Sequence, residues 1–182
     1  MKTEKTKING VLIITPDLFP DGRGFFFESY NKDRYEAAGI PDKFVQDNFS
    51  RSTYGTIRGL HFQIGNAAQG KLCQVISGRV LDVAVDIRKG SPTYGQHVSV
   101  ELTDENHKQI WMPPGFAHGF SVLSETAIFS YKCTAMYSKS DERAILYNDS
   151  DLNINWRVEK PVVSEKDLKS GSFKNLENYF NY

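Results

Sequence analysis

Short apolar runs separated by turn residues fill the middle of the chain, and they predict a protein built mainly of β-strands. Residues 80–87 show the pattern well, because the apolar odd-numbered positions from Leu81 to Ile87 alternate with Asp82 and Asp86. Period-two alternation places the apolar side chains on one strand face and the carboxylates on the other. About ten such runs recur, at a spacing typical of a β-sandwich or jelly roll. The predicted strands are residues 11–15, 25–30, 44–50, 56–63, 71–77, 80–87, 96–102, 109–112, 120–123 and 127–133.

Two short helices are predicted from the residues that begin or end them. Asn31 is suited to cap a helix over residues 31–38, and Gly39 is suited to end it. Ser164 and Asp167 have the S-x-x-D spacing of a capping box, so a C-terminal helical segment is expected to begin there. The pattern therefore predicts an all-β fold, a sandwich or jelly roll with a few short helices.

Length and charge restrict the class of protein. The chain has 182 residues, which suit one well-buried domain, so residues 1–182 are expected to form a single domain. Lys plus Arg and Asp plus Glu both total 22, and the formal net charge is zero. This balance lacks the basic surface of a nucleic-acid binder and favours association over repulsion.

The cysteines and the N-terminus predict a cytoplasmic protein. Cys73 and Cys133 are the only cysteines, and they lie in apolar runs without CxxC spacing. We therefore expect two buried thiols in a reducing compartment. The first ten residues contain lysines but lack the apolar stretch of a signal peptide, and no apolar run reaches membrane-spanning length. No membrane partner is expected.

Three cationic or titratable residues interrupt apolar, strand-like sequence. Arg58, His61 and Lys71 would be costly to bury without a partner, and an anionic ligand is one such partner. His61 would then be available for proton transfer near neutral pH. Strict alternation puts Arg58 on the strand face opposite His61, so a shared site requires a β-bulge, which Gly59 is suited to provide.

A catalytic metal is not expected. Jelly-roll metalloenzymes of the cupin type use a histidine pair, a carboxylate and a later histidine. Here His61 is followed by Gln63, the carboxylate position carries Lys71, and only His118 matches the later histidine. Two histidines with a neighbouring cation make a poor metal site.

Other polar residues have both a structural and a functional interpretation. Tyr131 is either a core tyrosine or a general acid, because its phenol is protonated at rest. Asp167 is either the acid of the capping box or a carboxylate that orients His61. Arg23 is either a phosphate ligand or a solvated loop residue.

Taken together, six segments resemble the dTDP-4-dehydrorhamnose 3,5-epimerases. They appear in the family's order and span nearly the whole chain, from about Val11 to Asp167. The segments are DGRGFFFES (21–29), VQDN (45–48), RGLHFQ (58–63), QGK (69–71), DVAVDIR (82–88) and PGFAHGF (114–120).

The resemblance implies a cupin-like jelly roll, a homodimer, no cofactor or metal, and a nucleotide-diphosphate 4-keto sugar as substrate. It assigns His61 as general base, Asp167 as its orienting carboxylate and Tyr131 as general acid. It also implies that Lys71 stabilises the enolate oxygen. The segment around Phe26 is implied to reach into the partner's site. The implied substrate contacts are Arg23, Phe26, Glu28, Gln46, Asp47, Asn48, Arg58, Lys71, His118, Tyr137, Glu142 and Lys166.

The chain also departs from the family's pattern near these segments. Phe49 stands where the family often has histidine, Gln74 where arginine is common, and Ala144 and Tyr147 replace a common glycine and tryptophan. The nucleotide, the sugar and the number of inverted centres therefore stay open. Three other functions also stay open: a 3,4-ketoisomerase, a non-catalytic sugar-nucleotide-binding protein and a metal-dependent oxygenase.

Overall fold

The computed structural model describes residues 1–40 and 43–182 and contains fourteen strands in these ranges. In chain order they are β1 (Lys2–Lys5), β2 (Leu12–Thr15), β3 (Phe19–Asp21), β4 (Gly24–Phe26), β5 (Gln46–Thr53), β6 (Thr56–Gln63), β7 (Lys71–Ser77), β8 (Arg79–Asp86), β9 (His97–Thr103), β10 (Gln109–Met112), β11 (Phe116–Val122), β12 (Thr126–Cys133), β13 (Glu142–Ala144) and β14 (Val162–Val163).

Two large sheets and one hairpin contain all of these strands. The first sheet has the order β1-β2-β10-β7-β12-β5, and the second has the order β13-β6-β11-β8-β9 with β14 added beside β6. Strands β3 and β4 form a separate antiparallel hairpin. All pairs in the large sheets are antiparallel except β14 with β6, which is parallel. This arrangement is the predicted jelly-roll sandwich, so the all-β prediction is confirmed.

Three apolar clusters divide the molecule into layers. The central cluster joins the inner faces of the two sheets and includes Cys73, Ala84 and Phe129. A second cluster lies on the outer face of the second sheet, where the C-terminal segment covers it through residues such as Trp156. A third lies on the outer face of the first sheet, around Tyr35. Burial of apolar side chains between these layers supplies the main stabilisation of the fold.

The ten predicted strands are all present, and most boundaries lie within one residue of the prediction. Strand β5 spans Gln46–Thr53 instead of residues 44–50. Strand β11 begins at Phe116, four residues before the predicted start, and β4 ends at Phe26 although residues 25–30 were predicted as one strand. The strand does not continue to residue 30 because the carbonyl of Ser29 accepts hydrogen bonds from the side chains of Tyr35 and Gln109 instead of from a neighbouring strand. The unpredicted strands are β1, β3, β13 and β14.

Both predicted helices are present and begin at the predicted caps. Helix α1 spans Lys32–Ala37, and the side chain of Asn31 accepts a hydrogen bond from the backbone N–H of Arg34. Helix α2 spans Glu165–Leu168, and Ser164 caps it. In the described part of the chain, neither helix has the length or apolarity needed to cross a bilayer.

Candidate active site

A cleft of about 630 Å³ opens between the two large sheets. Both sheets contribute side chains to it, and α2 closes one side. Most of the residues that the sequence analysis singled out for chemistry meet there. The predicted site residues that line the cleft are Asn48, Arg58, His61, Lys71, His118, Tyr131, Lys166 and Asp167.

A β-bulge in β6 brings Arg58 and His61 to the same cleft, as the sequence analysis required. In the pairing with β11, His61 lies opposite His118 and Arg58 opposite Phe120, so β6 holds one extra residue between them. Gly59 sits in this bulge with φ of +133°, and a Cβ there would lie 2.5 Å from the Cα of Gly119. Only glycine fits this conformation and this close approach.

The imidazole of His61 is paired with a buried carboxylate. Its Nε2 lies 2.7 Å from Oδ1 of Asp167, which is 4% exposed. The backbone N–H of Asp167 bonds to Ser164, so the residue belongs to the helix cap while its carboxylate faces His61. Burial alone would raise the pKa of Asp167, but the hydrogen bond and the charge of His61 outweigh it and hold that pKa below its usual range. Asp167 is therefore both a residue of the helix cap and the carboxylate that contacts His61.

Tyr131 enters the cleft from β12 of the first sheet, whereas His61 enters it from β6 of the second sheet. Burial raises the pKa of the Tyr131 phenol to about 12. The phenol is therefore protonated at neutral pH and suited to donate a proton.

Lys71 lies near both His61 and Tyr131 and lines the same cleft. Its Nζ lies 3.4 Å from the backbone oxygen of His61 and 5.9 Å from the centroid of the Tyr131 ring. Burial lowers the pKa of the Lys71 ammonium. A buried cation beside the cleft is placed to interact strongly with an anion bound there.

A second histidine of the cleft, His118, is buried. His118 Nε2 lies 2.9 Å from Oδ2 of Asp82 and 3.8 Å from Sγ of Cys73. Burial lowers the pKa of His118, although Asp82 acts in the opposite direction. Asp82 is fully buried, and its Oδ1 has no hydrogen-bond partner among the described residues.

A chain of polar residues follows the rim of the cleft. Glu142 accepts hydrogen bonds from Lys166 and, at 3.0 Å, from the hydroxyl of Tyr137. The backbone N–H of Tyr137 donates to Gln46, which in turn donates to Asn48 at 2.9 Å. Three further predicted residues thus border the cleft without lining it. They are Gln46, Tyr137 and Glu142.

Four predicted substrate contacts lie away from this cleft. Arg23 and Phe26 are exposed on the β3–β4 hairpin, where Arg23 pairs with Asp21, and Glu28 forms an ion pair with Arg34. Asp47 pairs with Lys132 on the side of β5 that faces a different groove. Within one chain, then, these four residues do not meet His61.

Several residues in or beside the cleft were not predicted from the sequence. Val162 and Val163 form the two-residue β14 beside β6, and this pairing brings Asp167 to His61. A strand of two residues is too short to show a periodic pattern in the sequence, so β14 is recognised only from its parallel pairing with β6 in the structure. Asp82 did carry a signal: it is a carboxylate in a strand whose apolar residues face the other side.

The fold and the site together define a jelly-roll protein of the cupin type, with acid–base side chains from both sheets facing one cleft. Comparisons with known proteins agree with this class. The family model described as dTDP-4-dehydrorhamnose 3,5-epimerase matches residues 5–175. Relatives of that name are 51% identical in Shigella flexneri (over 99% of both chains) and 50% identical in Pseudomonas aeruginosa (over 97% of this chain and 98% of the other).

Solved structures show the same similarity. The crystal structure of dTDP-6-deoxy-D-glucose-3,5-epimerase from Legionella pneumophila, in complex with dTDP-4-keto-L-rhamnose, has a TM-score of 0.96 and 48% identity to this chain. The match covers 100% of this chain and 98% of the Legionella chain. The protein therefore belongs to the dTDP-4-dehydrorhamnose 3,5-epimerase family and is an isomerase of the epimerase class.

Proposed function

We propose that residues 1–182 form one cytoplasmic epimerase domain that inverts C3, C5 or both of a dTDP-linked 4-keto-6-deoxy sugar. The observation that carries the proposal is the cleft in which the His61–Asp167 pair and Tyr131 come from opposite sheets. The family match and the ligand of the Legionella relative support the class of substrate. A 4-keto group acidifies the flanking C–H bonds, so the reaction consists of proton transfers.

The first step is removal of a proton from a carbon beside the ketone. His61 is the base, because its ring lines the cleft and remains 29% exposed, so a substrate can reach it. Asp167 accepts a hydrogen bond from the imidazole, which fixes the ring and stabilises the imidazolium that forms. The electron pair of the broken C–H bond moves toward the 4-keto oxygen, and an enolate results.

The second requirement is a partner for the negative charge on that oxygen. Lys71 and Arg58 both line the cleft, and Arg58 is held by a 3.0 Å hydrogen bond to Ser52. Cations fixed in advance where charge develops usually make the largest contribution to the rate of such reactions. Lys71 acts on the enolate, and Arg58 acts on the enolate or the diphosphate.

The third step returns a proton to the opposite face of the sugar carbon. Tyr131 donates it from the sheet that faces His61, so departure and arrival on different faces invert the centre. Because burial raises the pKa of Tyr131 to about 12, the phenol holds its proton until the carbanion requires it.

The nucleotide part is bound by the remaining polar groups. His118 and Asn48 line the cleft, and the rim supplies further donors and acceptors. The rim residues proposed to bind substrate are Gln46, Tyr137, Glu142 and Lys166.

We further propose that the protein is a homodimer in which the β3–β4 hairpin completes the partner's cleft. The hairpin carries Arg23 and the exposed rings of Phe25 and Phe26 away from its own cleft. Exposed aromatic rings beside an arginine are typical of protein interfaces and of nucleotide-diphosphate sites. Glu28, and Asp47 at the adjacent sheet edge, are expected to join the same interface.

The decisive experiment follows solvent deuterium into the substrate. Wild-type protein incubated with a dTDP-4-keto-6-deoxy sugar in deuterated water should incorporate deuterium at C3, C5 or both, and proton NMR of the product locates each site. His61→Asn should abolish this exchange, because the amide cannot take up the proton that the imidazole is proposed to remove. His97→Asn is the matched control, since His97 lies on β9 outside the cleft.

Two results would contradict the proposal. Exchange at the wild-type rate in His61→Asn would show that His61 is not the base. Absence of exchange in the wild type, with dTDP-, GDP- and CDP-linked 4-keto sugars all tested, would indicate a binding protein. A product in which the carbonyl has moved, with no centre inverted, would indicate a ketoisomerase instead.

A further inference from the structure

Three metal-ligating side chains on β7, β8 and β11 converge beside the cleft. Cys73 Sγ, an oxygen of Asp82 and a ring nitrogen of His118 all lie within 4.8 Å of one another, and all three residues are buried. None of the three is assigned to proton transfer in the proposed mechanism, and Cys73 and Asp82 are not assigned any role in it. The cluster therefore needs its own explanation.

The distances suit a single tetrahedral cation. His118 Nε2 is 2.9 Å from Asp82 Oδ2 and 3.8 Å from Cys73 Sγ, so one nitrogen faces both an oxygen and a sulfur. Zinc binds nitrogen and oxygen at about 2.0–2.2 Å and sulfur at about 2.3 Å, and tetrahedral angles then separate the donors by roughly 3–4 Å. The nitrogen–sulfur separation matches this spacing, the nitrogen–oxygen pair is closer because the two atoms are in hydrogen-bond contact, and all three donors lie within 4.8 Å of one another, so small side-chain shifts would bring them around one ion.

Asp82 supplies an independent observation that points to a missing positive partner. Its Oδ1 is buried and has no hydrogen-bond partner among residues 1–40 and 43–182. Asp86, on the same face of β8, shows how a buried carboxylate in this fold is normally satisfied: it accepts five hydrogen bonds from Arg88, Ser91 and Thr93. Buried carboxylates without such partners are costly, and a bound cation is one way to satisfy them.

We propose that Cys73, Asp82 and His118 form a binding site for a thiophilic divalent cation such as Zn²⁺, and that its occupation inhibits the enzyme. The cation replaces the thiol proton of Cys73, which passes to solvent, and it displaces the hydrogen-bond contact between His118 and Asp82. His118 then carries its single ring proton on Nδ1 and offers the Nε2 lone pair, so the cation takes one donor each of sulfur, oxygen and nitrogen. His118 lines the cleft, so the site is reached from there and a water or substrate atom completes the coordination.

Inhibition follows from the neighbours of the site, and this part of the inference rests on the proposed function. A cation held by His118 withdraws that side chain from the substrate. It also repels the ammonium of Lys71, which lies beside Tyr131 and faces the same cleft. Both the substrate contact and the enolate partner are then weakened.

Cobalt titration tests binding separately from activity, because a thiolate bound to Co²⁺ gives a charge-transfer absorption band. Wild-type protein should develop this band in proportion to Co²⁺, and Zn²⁺ should remove it by competition. Cys73→Ser should lose the band, and Asp82→Asn should weaken Co²⁺ binding by about tenfold or more. Cys133→Ser is the matched control, because Cys133 is an equally buried thiol outside the cluster and should keep the band.

The activity measurement then uses the same variants. Zn²⁺ should suppress solvent deuterium exchange in wild type and Cys133→Ser, a chelator should restore it, and Cys73→Ser should resist. Absence of the band in wild type, or its persistence in Cys73→Ser with an unchanged melting temperature, would overturn the metal site. A band without inhibition would overturn the inhibitory role. A wild type that binds Co²⁺ but never exchanges deuterium would refute only the proposed function.

Discussion

The buried carboxylates of the molecule differ in how completely their neighbours satisfy them. Asp86 is saturated with donors, Asp167 is matched to one imidazole, and Asp82 keeps one oxygen unpaired within the described chain. A saturated carboxylate is structural, because it has no capacity left for a ligand. Asp82, the one of these three carboxylates with an unpaired oxygen in the described chain, lies where cation binding is proposed.

Tyr131 allows proton removal to be separated from inversion. Tyr131→Phe should retain deuterium exchange at the carbon that His61 deprotonates, because the base and Lys71 remain. Inversion should fall by about 10²–10⁴-fold, since the proton donor on the other face is lost. NMR of substrate and product in deuterated water measures both rates. Equal loss of exchange and inversion would assign Tyr131 a structural role.

The ionisation of Asp86 should make the free energy of unfolding depend on pH in the acid range. Burial would raise its pKa, but hydrogen bonds from Arg88, Ser91 and Thr93 outweigh burial and lower it. A folded-state pKa below the unfolded value of about 3.9 contributes stability above that pH, and this stability is lost as the pH falls through the folded value.

The corresponding variant is Asp86→Asn. It should reduce the free energy of unfolding by about 3 kcal/mol at neutral pH, because it leaves buried donors without a charged acceptor. The difference from wild type should shrink in strong acid. Urea denaturation at neutral pH and in strong acid measures the difference in the free energy of unfolding. Asp151→Asn is the control, because Asp151 is exposed. A difference that does not change with pH would contradict the assignment.

At the scale of elements, the bulge in β6 lets one strand place two polar side chains in the cleft. Ile57, Leu60 and Phe62 enter the outer cluster, while Arg58 and His61 both face the cleft. Strict alternation would have separated these two residues, since a shift of one residue moves a side chain to the other face. The position of His61, the proposed base, therefore depends on a backbone feature at Gly59.

Gly59→Ala tests this dependence. The new methyl group would meet the backbone of Gly119 and the oxygen of His118 at 2.5 and 2.8 Å. We expect a loss of stability of about 1–3 kcal/mol from the strained φ alone, with a larger loss of activity because Arg58 and His61 separate. Gly171→Ala, where a methyl group meets nothing within 4 Å, is the control. Thermal melts and deuterium exchange measure both effects, and an active, stable Gly59→Ala would refute the argument.

At the scale of the whole molecule, the two outer apolar clusters are covered within the chain, but the β3–β4 hairpin is not. Phe19, Phe25 and Phe26 are 57%, 57% and 65% exposed, which is unusual for three neighbouring aromatic residues. The proposed dimer would bury them and would carry Arg23 to a second cleft.

Phe26→Ser should therefore weaken the dimer and lower activity together. We expect sedimentation velocity to show dissociation at protein concentrations where the wild type remains dimeric, because a large apolar contact is lost. Ile76→Ser, which removes a similarly exposed apolar side chain from β7, should leave the dimer intact. A wild type that is monomeric at all concentrations would refute the dimer itself.

The sequence predicted the regular parts of this molecule well, because strand periodicity and caps are local. The alternation in β8, the Asn31 and Ser164 caps and the need for a bulge at Gly59 are all confirmed. Periodicity gave no signal for β1, β3, β13 and β14, because strands of two to four residues are too short to show an alternation. The convergence of Cys73, Asp82 and His118 was likewise invisible, because three different strands supply them.

The hydrogen bond between His61 and Asp167 joins residues 106 positions apart, and the second of them lies near the end of the chain. During synthesis, the histidine leaves the ribosome long before its carboxylate does. Strand β14 and helix α2 must dock on β6 before the pair exists. A nascent chain that has formed its sheets but not yet docked residues 162–168 therefore has a His61 without its carboxylate partner, and the proposed base stays unoriented until that segment arrives.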